Sequence, residues 1–556
     1  MRFVPILGLA ALAGACSTPG VAPPMAAARP GTLQSCEDLA ARFAFPQTVV
    51  ASAARVAAGT LSVAGKPVAE HCLVSGRMAE RKSAVDGQTY AIGFQMRLPV
   101  NWNGRFFHQG NGGLDGIIQP AVGLVGGGGE LSNALAQGFA VLSSDAGHNV
   151  RQLPMFGVDP DARLDYGYKA VGTLTPMAKA LVAAAYGRGP DRSYFGGCSN
   201  GGRHAMVAAS RYAADYDGFL AGNPGFQLPK AALAQLAGAQ LFHRAAVTND
   251  LATAMTPVER KLVSDAIVAR CDALDGAKDH AVGDIAACQR AFDLQRDVPT
   301  CTAERNGQCL SAQQKDVLAK VFAGATDSKG QRLYAPFNWD PGLAGADWAG
   351  WKFVSSVTNR DPVAVAYVFQ TPPADASAAA EPKLFALGFD LDRGTALINA
   401  TSGPYTQSAM QFMTPPGDTD LAALRARGAK LVVYHGSADG VFSAGDTAAW
   451  IERVGQRHAD ASSFARLFVV PGMNHCRGGP ATDQFDLLTP LVQWVEEGRA
   501  PDRVVAQARG AGNPVPNPEV PASWAADRTR PLCPWPQVAR YKGSGDIERA
   551  ENFVCQ

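Results

Sequence analysis

The sequence has no excess of charge of either sign and no internal apolar run long enough to cross a membrane. Lysine and arginine together number 50, and aspartate and glutamate 49, which gives a net charge of +1. Such a balance gives no support for a nucleic acid or another polyanion as partner. Internal repeats and low-complexity tracts are also missing, which argues against a repeat array. With 47% apolar residues, the 556-residue chain can still bury a sizeable core.

Residues 1–28 are predicted to be a targeting segment rather than part of the fold. Arg2 supplies a positive charge, and residues 3–13 form a short apolar run. Cys16 follows small residues that suit lipoprotein processing, although the leucine usual three residues before such a cysteine is replaced by alanine. Alanine pairs at 13/15 and 26/28 equally suit an ordinary signal peptidase. We therefore expect export, to the periplasm or the medium, either as a soluble protein or as an outer-membrane lipoprotein.

Eleven cysteines are an odd number, and export explains the odd one. Removing Cys16 leaves ten, which in an oxidising compartment suggests five disulfides. The sequence alone does not determine how they pair. The simplest guesses join neighbours in the chain: Cys271 with Cys288, Cys301 with Cys309, and Cys533 with Cys555.

Strand, loop and helix alternate through residue 225, which indicates an α/β sheet covered by helices. From about 226 to 425 strand signals are scarce, and helical runs and cysteine-closed loops replace them. We predict one catalytic α/β domain, residues 29–225 and 426–556, interrupted by an inserted domain, residues 226–425. The clearest strand signals fall at 90–100, 105–109, 138–144, 430–436 and 465–471.

The stretch around Ser199 has the pattern of a nucleophile elbow. Gly197-Cys198-Ser199-Asn200-Gly201 is a G-x-S-x-G motif that follows an apolar strand, residues 193–197, and precedes a helix that we expect to open at Arg203. The turn is so tight that the residues flanking the serine must be nearly free of side chain. Ser199 is therefore the predicted nucleophile.

A serine nucleophile needs a histidine base, and that base needs an acid to fix its tautomer. In α/β hydrolases the chain order is serine, acid, histidine, and Asp439 and His475 supply it in loops after two predicted strands. The rival pair Asp145 and His148 precedes the serine and breaks that order. His435, at a strand end, is expected to line the pocket or to orient its neighbours.

Two cysteines adjoin the predicted catalytic residues. Cys198 directly precedes Ser199, and Cys476 directly follows His475. A bridge between these cysteines would hold their Cα atoms about 5.5 Å apart, which makes the serine and the histidine neighbours.

These motifs resemble the tannase and feruloyl esterase family, over essentially the whole chain after the signal. The matching stretches are FFHQGNGG (106–113), GGCSNGGR (196–203), VVYHGSADGVFS (432–443), PGMNHC (471–476) and RPLCPWPQVARYKGSGD (530–546). The resemblance implies an α/β-hydrolase fold with a large inserted lid domain. It implies Ser199, Asp439 and His475 as the triad, and an oxyanion hole from the amides of Asn200 and of Gly112 or Gly113. It also implies the disulfides Cys36–Cys72, Cys198–Cys476, Cys271–Cys288, Cys301–Cys309 and Cys533–Cys555.

The resemblance also implies a structural calcium ion in the lid. The stretch after Cys271 places three carboxylates around a glycine, and oxygen ligands in a short turn suit this hard cation. Its spacing is not that of an EF-hand, so from the residues alone it could equally be a solvated acidic turn. The implied ligands are side chains of Asp272, Asp275 and Asp279 and carbonyls of Ala277 and Ala281.

The lid is expected to present aromatic residues to an aromatic acyl group. The residues expected around the substrate are Trp348 or Trp351, Phe369, His435 and Phe442. Terephthalate-ester hydrolases of the family use a lid arginine for the free carboxylate; Val365 occupies that position here, although Arg360 is near. We therefore expect hydrolysis of feruloyl, other hydroxycinnamoyl or galloyl esters, with mono(2-hydroxyethyl) terephthalate as the alternative. An acyltransferase, or a non-catalytic binding protein on the same scaffold, is the alternative of another class. Natural substrate and oligomeric state are beyond the sequence.

Overall fold

The computed structural model describes residues 24–125 and 133–556. Its centre is a mixed sheet of nine strands in the order β9-β8-β7-β6-β4-β5-β3-β2-β1. Strands β4 to β9 are parallel, whereas β1, β2 and β3 pair antiparallel at one side. In chain order the strands are β1 (Thr48–Val56), β2 (His71–Lys82), β3 (Thr89–Pro99), β4 (Arg105–Gly110), β5 (Ala140–Ser144), β6 (Arg192–Cys198), β7 (Gly218–Gly222), β8 (Lys430–Gly436) and β9 (Ala465–Val470).

Helices cover both faces of this sheet. Ala170–Tyr186, Asn200–Arg211 and Ala444–Arg457 share one buried apolar cluster with it, and Leu488–Glu497 belongs to another cluster. Short elements complete this part of the chain: helices Leu39–Arg42 and Pro160–Leu164, and the paired strands Gly31–Thr32 with Asn101–Trp102, Ser62–Val63 with Lys66–Pro67, Val504–Gln507 with Thr529–Leu532, and Ala539–Tyr541 with Phe553–Cys555. The arrangement is the layered α/β architecture that the sequence predicts.

Strands β7 and β8 are neighbours in the sheet, yet about 200 residues of mostly helical chain separate them. We call residues 226–425 the inserted segment. Its buried apolar cluster also takes in Phe156, Tyr166 and Phe442 from the sheet side, so the two parts are packed together. The α-helices of the inserted segment are Leu228–Ala245, Pro257–Cys271, Ile285–Ala291, Leu294–Asp297, Ala312–Ala323, Ala346–Ala349, Asp361–Val363, Ser377–Ala380, Pro382–Gly388, Leu391–Ile398, Ala409–Met413 and Ala422–Arg427.

All five expected disulfides are present. They join Cys36 to Cys72, Cys198 to Cys476, Cys271 to Cys288, Cys301 to Cys309, and Cys533 to Cys555. Cys16, the predicted lipidation residue, lies outside the described residues. Within the described ranges, no helix combines the length and the apolar character that a membrane span requires.

Candidate active site

Ser199 lies in a sharp turn between β6 and the helix Asn200–Arg211, which begins three residues earlier than predicted. Its backbone has φ of 66°, a conformation that side-chain-bearing residues rarely adopt. The flanking glycines are needed because the chains touch: a Cβ on Gly197 or on Gly201 would lie 2.3 Å from the carbonyl oxygen of Gly110. The elbow therefore exposes a strained serine at the carboxyl end of a central parallel strand.

Asp439 and His475, the acid and the base that the chain order predicts, lie within hydrogen-bonding distance of each other. Asp439 follows β8, His475 follows β9, and Asp439 Oδ2 lies 2.8 Å from His475 Nδ1. Since the carboxylate accepts, Nδ1 carries the proton and Nε2 keeps its lone pair free. Nε2 is buried and has no hydrogen-bond partner in the described part of the chain. It is thus available to a proton donor that enters the site.

The disulfide Cys198–Cys476 links the elbow to the histidine loop. Its Cα atoms lie 6.1 Å apart, although 278 residues separate the two cysteines in sequence. Each cysteine is the immediate chain neighbour of a predicted catalytic residue, Ser199 or His475. The bridge therefore restrains the distance between the two.

Asp439 receives more donors than His475 alone. Asn223 Nδ2 lies 2.8 Å and His435 Nε2 3.2 Å from the same oxygen, and the amides of Val441 and Phe442 donate to the other oxygen. Burial by itself would raise the pKa of Asp439, but its electrostatic interaction with His475 and the hydrogen bonds from His435 and His475 lower it well below its ordinary value. The carboxylate is therefore held in its charged form.

His435 supports Asp439 and is not among the residues that line the cleft beside His475. Its side chain is fully buried, and Nδ1 lies 2.9 Å from Thr447 Oγ1. Nε2 faces two acceptors, Asp439 Oδ2 and the carbonyl of Phe442, so it must carry the proton. The arrangement gives Asp439 Oδ2 a second histidine donor beside His475.

The residues predicted to form the oxyanion hole, Asn200 and Gly112 or Gly113, come from two segments of the chain. A network of buried hydrogen bonds joins these segments. Gly112 lies against the nucleophile, since a Cβ there would lie 3.9 Å from Ser199 Cβ. The side chain of Asn200 donates to Asp115 over 2.8 Å, and His204 Nε2 lies 3.0 Å from the same carboxylate oxygen.

A second link ties the glycine loop to the sheet domain. Tyr166 donates to the carbonyl of Gly113 over 3.1 Å. Arg203, whose Nε donates to Asn200 Oδ1 over 2.6 Å, also donates to the carbonyl of Tyr166. Burial raises the pKa of Asp115 well above its usual value and lowers the pKa of His204 well below its usual value. Burial thus favours the neutral forms of both groups over an ion pair.

The rival pair does not form. Asp145 accepts from the backbone amides of Gly93 and Gly147, and His148 Nε2 bonds the carbonyl of Leu114. His148 also stacks on the ring of Phe156 at 3.6 Å. Both side chains hold backbone segments together rather than pairing with each other.

The inserted segment contacts the catalytic loops directly. Asp347 accepts from the backbone amide of His475 at 3.2 Å and from the indole of Trp351 at 3.1 Å. Farther along, Ser437 donates to Asp340 over 2.5 Å, and Asn474 donates to the carbonyl of Gly342. Residues 340–351 thus bind both the acid loop and the base loop.

The expected aromatic residues divide into two groups. The rings of Trp351 and Phe442 meet the ring of His475 edge-on, at centroid distances of 5.0 and 5.3 Å. The guanidinium of Arg360 lies over both of these rings, at 4.7 and 5.8 Å. Trp348, Phe369 and Val365 are buried in the same apolar cluster as Phe442, but neither aromatic ring among them contacts the ring of His475. The aromatic wall beside the base is therefore Trp351 and Phe442.

The predicted calcium loop folds as a compact, buried turn closed by Cys271–Cys288. Asp272 accepts from the amides of Asp279 and Ala281, and Asp275 from that of Ala277. Asp279 is paired with Arg528 and Arg530.

In residues 24–125 and 133–556, however, no three acidic, histidine or cysteine side chains are grouped so that they would hold a metal ion by themselves. Neither Asp272 nor Asp275 forms an ion pair within those ranges, although both are buried. Carboxylate and carbonyl oxygens are the donors that calcium prefers, so a cation suits the chemistry of the loop.

Sequence reasoning did not find Asn223, Asp347, Asp115 and Tyr166, and it identified His204 only as a structural neighbour of the site. None of them belongs to the motifs around Ser199, Asp439 or His475, and their roles depend on contacts between distant segments. One local signal was present: Asp115 stands just beyond the glycine-rich loop FFHQGNGG.

Comparisons with known proteins agree with the resemblance found in the sequence motifs. A family model described as tannase and feruloyl esterase matches residues 72–556. The mono(2-hydroxyethyl) terephthalate hydrolase of Piscinibacter sakaiensis is 42% identical over 545 residues, which cover 91% of this chain and 88% of that protein. A probable feruloyl esterase B-2 of Neosartorya fischeri is 27% identical and covers 87% of each chain.

Among solved structures, feruloyl esterase B from Aspergillus oryzae aligns with a TM-score of 0.73 at 24% identity and covers 94% of this chain and 99% of that one. Tannin acyl hydrolase from Aspergillus niger aligns with a TM-score of 0.65 at 20% identity and covers 92% of each. These likenesses confirm the predicted α/β-hydrolase fold. The match of the family model over most of the chain, together with the 42% identical relative, shows that the chain belongs to the tannase and feruloyl esterase family of carboxylic-ester hydrolases.

Proposed function

We propose that this protein is a serine esterase that cleaves feruloyl, other hydroxycinnamoyl or galloyl esters through an acyl-enzyme on Ser199. Hydrolysis of esters of aromatic acids is the activity that its family supports. The observation that carries the proposal is the state of His475: Nδ1 is bound by Asp439 at 2.8 Å, and the buried Nε2 has no partner in the described residues. A histidine held in this way is suited to accept the proton of a serine.

The mechanism follows from these groups. His475 takes the proton of Ser199, whose oxygen attacks the ester carbonyl to form a tetrahedral intermediate. His475 then gives that proton to the leaving alcohol, and an acyl-enzyme remains. Water, activated by the same histidine, hydrolyses the acyl-enzyme and regenerates Ser199.

The developing negative charge is stabilised by the amides of Asn200 and of Gly112 or Gly113. The close approach of Gly112 to Ser199 supports this role. Loss of one such donor typically lowers kcat by about 10²–10³-fold. The edge-on rings of Trp351 and Phe442 beside His475 support an aromatic acyl group, because aromatic pairs favour such geometry.

A terephthalate monoester is the second candidate substrate. Arg360 favours it, since the guanidinium lies over Trp351 and Phe442 and so near any aromatic ring bound there. Val365 is fully buried and cannot pair with a carboxylate. Arg360 is partly engaged by Asp361, which weakens but does not remove this role.

The test is hydrolysis of methyl ferulate, methyl gallate and mono(2-hydroxyethyl) terephthalate by the wild type and by Ser199→Ala. Activity on the first two esters, abolished in the variant, supports the proposal. A preference for the terephthalate ester that Arg360→Gln removes would favour the second candidate. A wild type that leaves all three esters intact would refute both. Product analysis with a competing alcohol separates hydrolysis from acyl transfer, and any turnover that depends on Ser199 dismisses a purely binding role.

We also propose that a structural calcium ion compensates the buried carboxylates of Asp272 and Asp275, with Asp279 and the carbonyls of Ala277 and Ala281 completing the site. Burial of two acids without an ion pair is costly, and a bound cation offsets that cost. Chelation with EGTA should lower Tm, added Ca²⁺ should restore it, and Asp275→Asn should lose the response. A Tm that is independent of both treatments would overturn the calcium assignment.

We propose export with processing at or before Cys16 rather than after Ala28. Met25 donates from its backbone to the carbonyl of Val495, and the amide of Ala28 donates to Glu496 over 2.9 Å. Cleavage after Ala28 would remove both contacts from the folded domain. Mass spectrometry of the mature N-terminus, and its change in Cys16→Ser, distinguishes a lipidated form from a soluble one; a mature chain that starts at residue 29 would refute the proposal.

A further inference from the structure

A cleft lies beside the predicted catalytic residues. It has a volume of about 660 Å³, and Gly112, His475, Trp351 and Arg477 line it together with the hairpin residues 61–64. This volume falls in the range of sites that hold drug-sized ligands, roughly 300–1,000 Å³, so it has room for far more than a methyl alcohol.

The cleft contains one cation that no described residue neutralises. Arg477 directly follows Cys476, its side chain is exposed, and it forms no hydrogen bond or ion pair within residues 24–125 and 133–556. Asp347, the acid that also lines the cleft, is already bound by the Trp351 indole and the His475 amide. The unmatched charge that a ligand meets in the described part of the cleft is therefore positive.

The chemistry of the site indicates which part of a substrate enters this cleft. His475 must deliver its proton to the oxygen of the leaving alcohol, so that alcohol lies on the side of His475. His475 and Arg477 both line the cleft, and Trp351 lies at its boundary with the acyl side, whereas Phe442 and Arg360 do not line it. We propose that the cleft binds the alcohol portion of the ester, and that Arg477 selects alcohols that carry a carboxylate. This inference rests on the proposed esterase function, and it assigns to that function the class of aromatic-acid esters of hydroxy acids.

The test uses ferulate esters of glycolic, 3-hydroxypropanoic and 4-hydroxybutanoic acids, each beside the corresponding carboxamide, with methyl ferulate as the neutral control. The wild type should favour the carboxylate of the best-fitting length by about 3–10-fold in kcat/KM, mostly through KM, as a partly exposed ion pair allows. Arg477→Gln should lose this preference, Arg477→Lys should keep most of it, and added salt should weaken it. Turnover of methyl ferulate should be the same in all three proteins.

A wild type that treats carboxylate and carboxamide alike at every length would overturn the role of Arg477, as would a preference that survives in Arg477→Gln. Cleavage of methyl ferulate in those experiments would leave the esterase function standing. Failure of the wild type to cleave any of the esters, methyl ferulate included, would overturn the function and the cleft assignment together.

Discussion

At the scale of single residues, Asp439 stands between two histidines. His475 faces the site, whereas His435 is fully buried behind the acid and is fixed by Thr447. A carboxylate held by one donor could rotate, but one held by His435, Asn223 and two backbone amides presents a single oxygen to His475. His435 is in this sense a positioning residue that acts through Asp439.

Replacing His435 tests this role. We expect His435→Phe to lower kcat by roughly 10–100-fold, because a hydrogen bond to a charged group contributes about 1.5–3 kcal/mol. KM should change little, since His435 does not contact the cleft. His435→Gln, which keeps a donor, should recover part of the rate. The measurement is steady-state kinetics on methyl ferulate, with circular dichroism as a check on folding.

Equal kcat in His435→Phe and the wild type would contradict the role. A parallel loss in His435→Gln and His435→Phe would also contradict it, because the remaining donor of the glutamine would then make no difference.

The residues that carry local motifs were predictable, and of the residues that support them only His435 was expected, as a residue that lines the pocket or orients its neighbours. Ser199, Asp439 and His475 each follow an apolar strand, in a chain order that restricts the choice. The contact between His435 Nε2 and Asp439 depends on how the loop after β8 turns back on its own strand. Arg477 was equally hidden, because nothing in its local sequence shows which cleft it faces.

At the scale of elements, the predicted oxyanion hole depends on the start of one helix and on the loop after β4. Buried side chains set the relative position of these two elements. Asn200 opens a helix, and Gly112 and Gly113 belong to the loop after β4. Asp115 ties that loop to Asn200, and Tyr166 ties it to a third segment, Asp165–Lys169. The two expected donors are therefore aligned by contacts that do not themselves touch the substrate.

Tyr166→Phe removes only the hydroxyl that binds the Gly113 carbonyl. We expect kcat to fall by roughly 3–10-fold with KM nearly unchanged, because a neutral hydrogen bond contributes about 0.5–1.5 kcal/mol and the loop would lose alignment with the oxyanion. Tyr405→Phe is a matched control, since its hydroxyl also binds a backbone carbonyl, that of Val158, away from the elbow. An equal effect of the two variants on kcat would refute the alignment role.

The elements themselves were predicted unevenly. Parallel strands such as β8 are buried along their whole length, so their sequences are apolar runs that indicate a strand. The edge strand β1 has no fully buried residue, and the alanines and the serine at its centre blur the alternation that identifies a strand. Pairing with β2 therefore adds to the local preference of its valines in making it a strand.

At the scale of the whole molecule, several buried aspartates make stability depend on pH. Burial raises the pKa to about 7 for Asp145, Asp165 and Asp446, and to about 6 for Asp361. Between their unfolded pKa near 3.8 and these values, the folded state binds more protons than the unfolded state, so stability falls as pH rises. Asp439 has the opposite sign: its lowered pKa contributes stability that is present above pH 3.8 and lost below it.

Burial lowers the pKa of His108, His148 and His204, and these histidines lose stability as pH falls below 6.5, so the net change in Tm of the wild type sums opposing effects. A single aspartate isolates one sign. We expect Asp446→Asn to raise Tm relative to the wild type more at pH 7.5 than at pH 5, because its side chain no longer ionises. Differential scanning calorimetry at the two pH values measures the effect, and an equal difference between the two proteins at both pH values would contradict the assignment.

The disulfides allow a matched comparison of stability and catalysis. Replacing Cys198 and Cys476 together by alanine opens a loop of 278 residues and should cost up to about 5 kcal/mol in the chain-entropy account. It should also lower kcat, because Ser199 and His475 lose their link. The control pair Cys301 and Cys309 closes only 8 residues, and its removal should cost less and leave kcat intact. Chemical denaturation measures the loss of stability, and initial rates measure kcat. An unchanged kcat in the variant without Cys198 and Cys476 would show that this bridge does not hold Ser199 and His475 in position.

The same bridge ties the formation of the site to oxidation. The elbow and the histidine loop lie on either side of the inserted segment, so Cys198 can pair with Cys476 only after the whole segment between them has been synthesised. Until these two cysteines are oxidised, only noncovalent packing holds Ser199 beside His475, and we expect the reduced protein to have the same lowered kcat as the variant without the bridge.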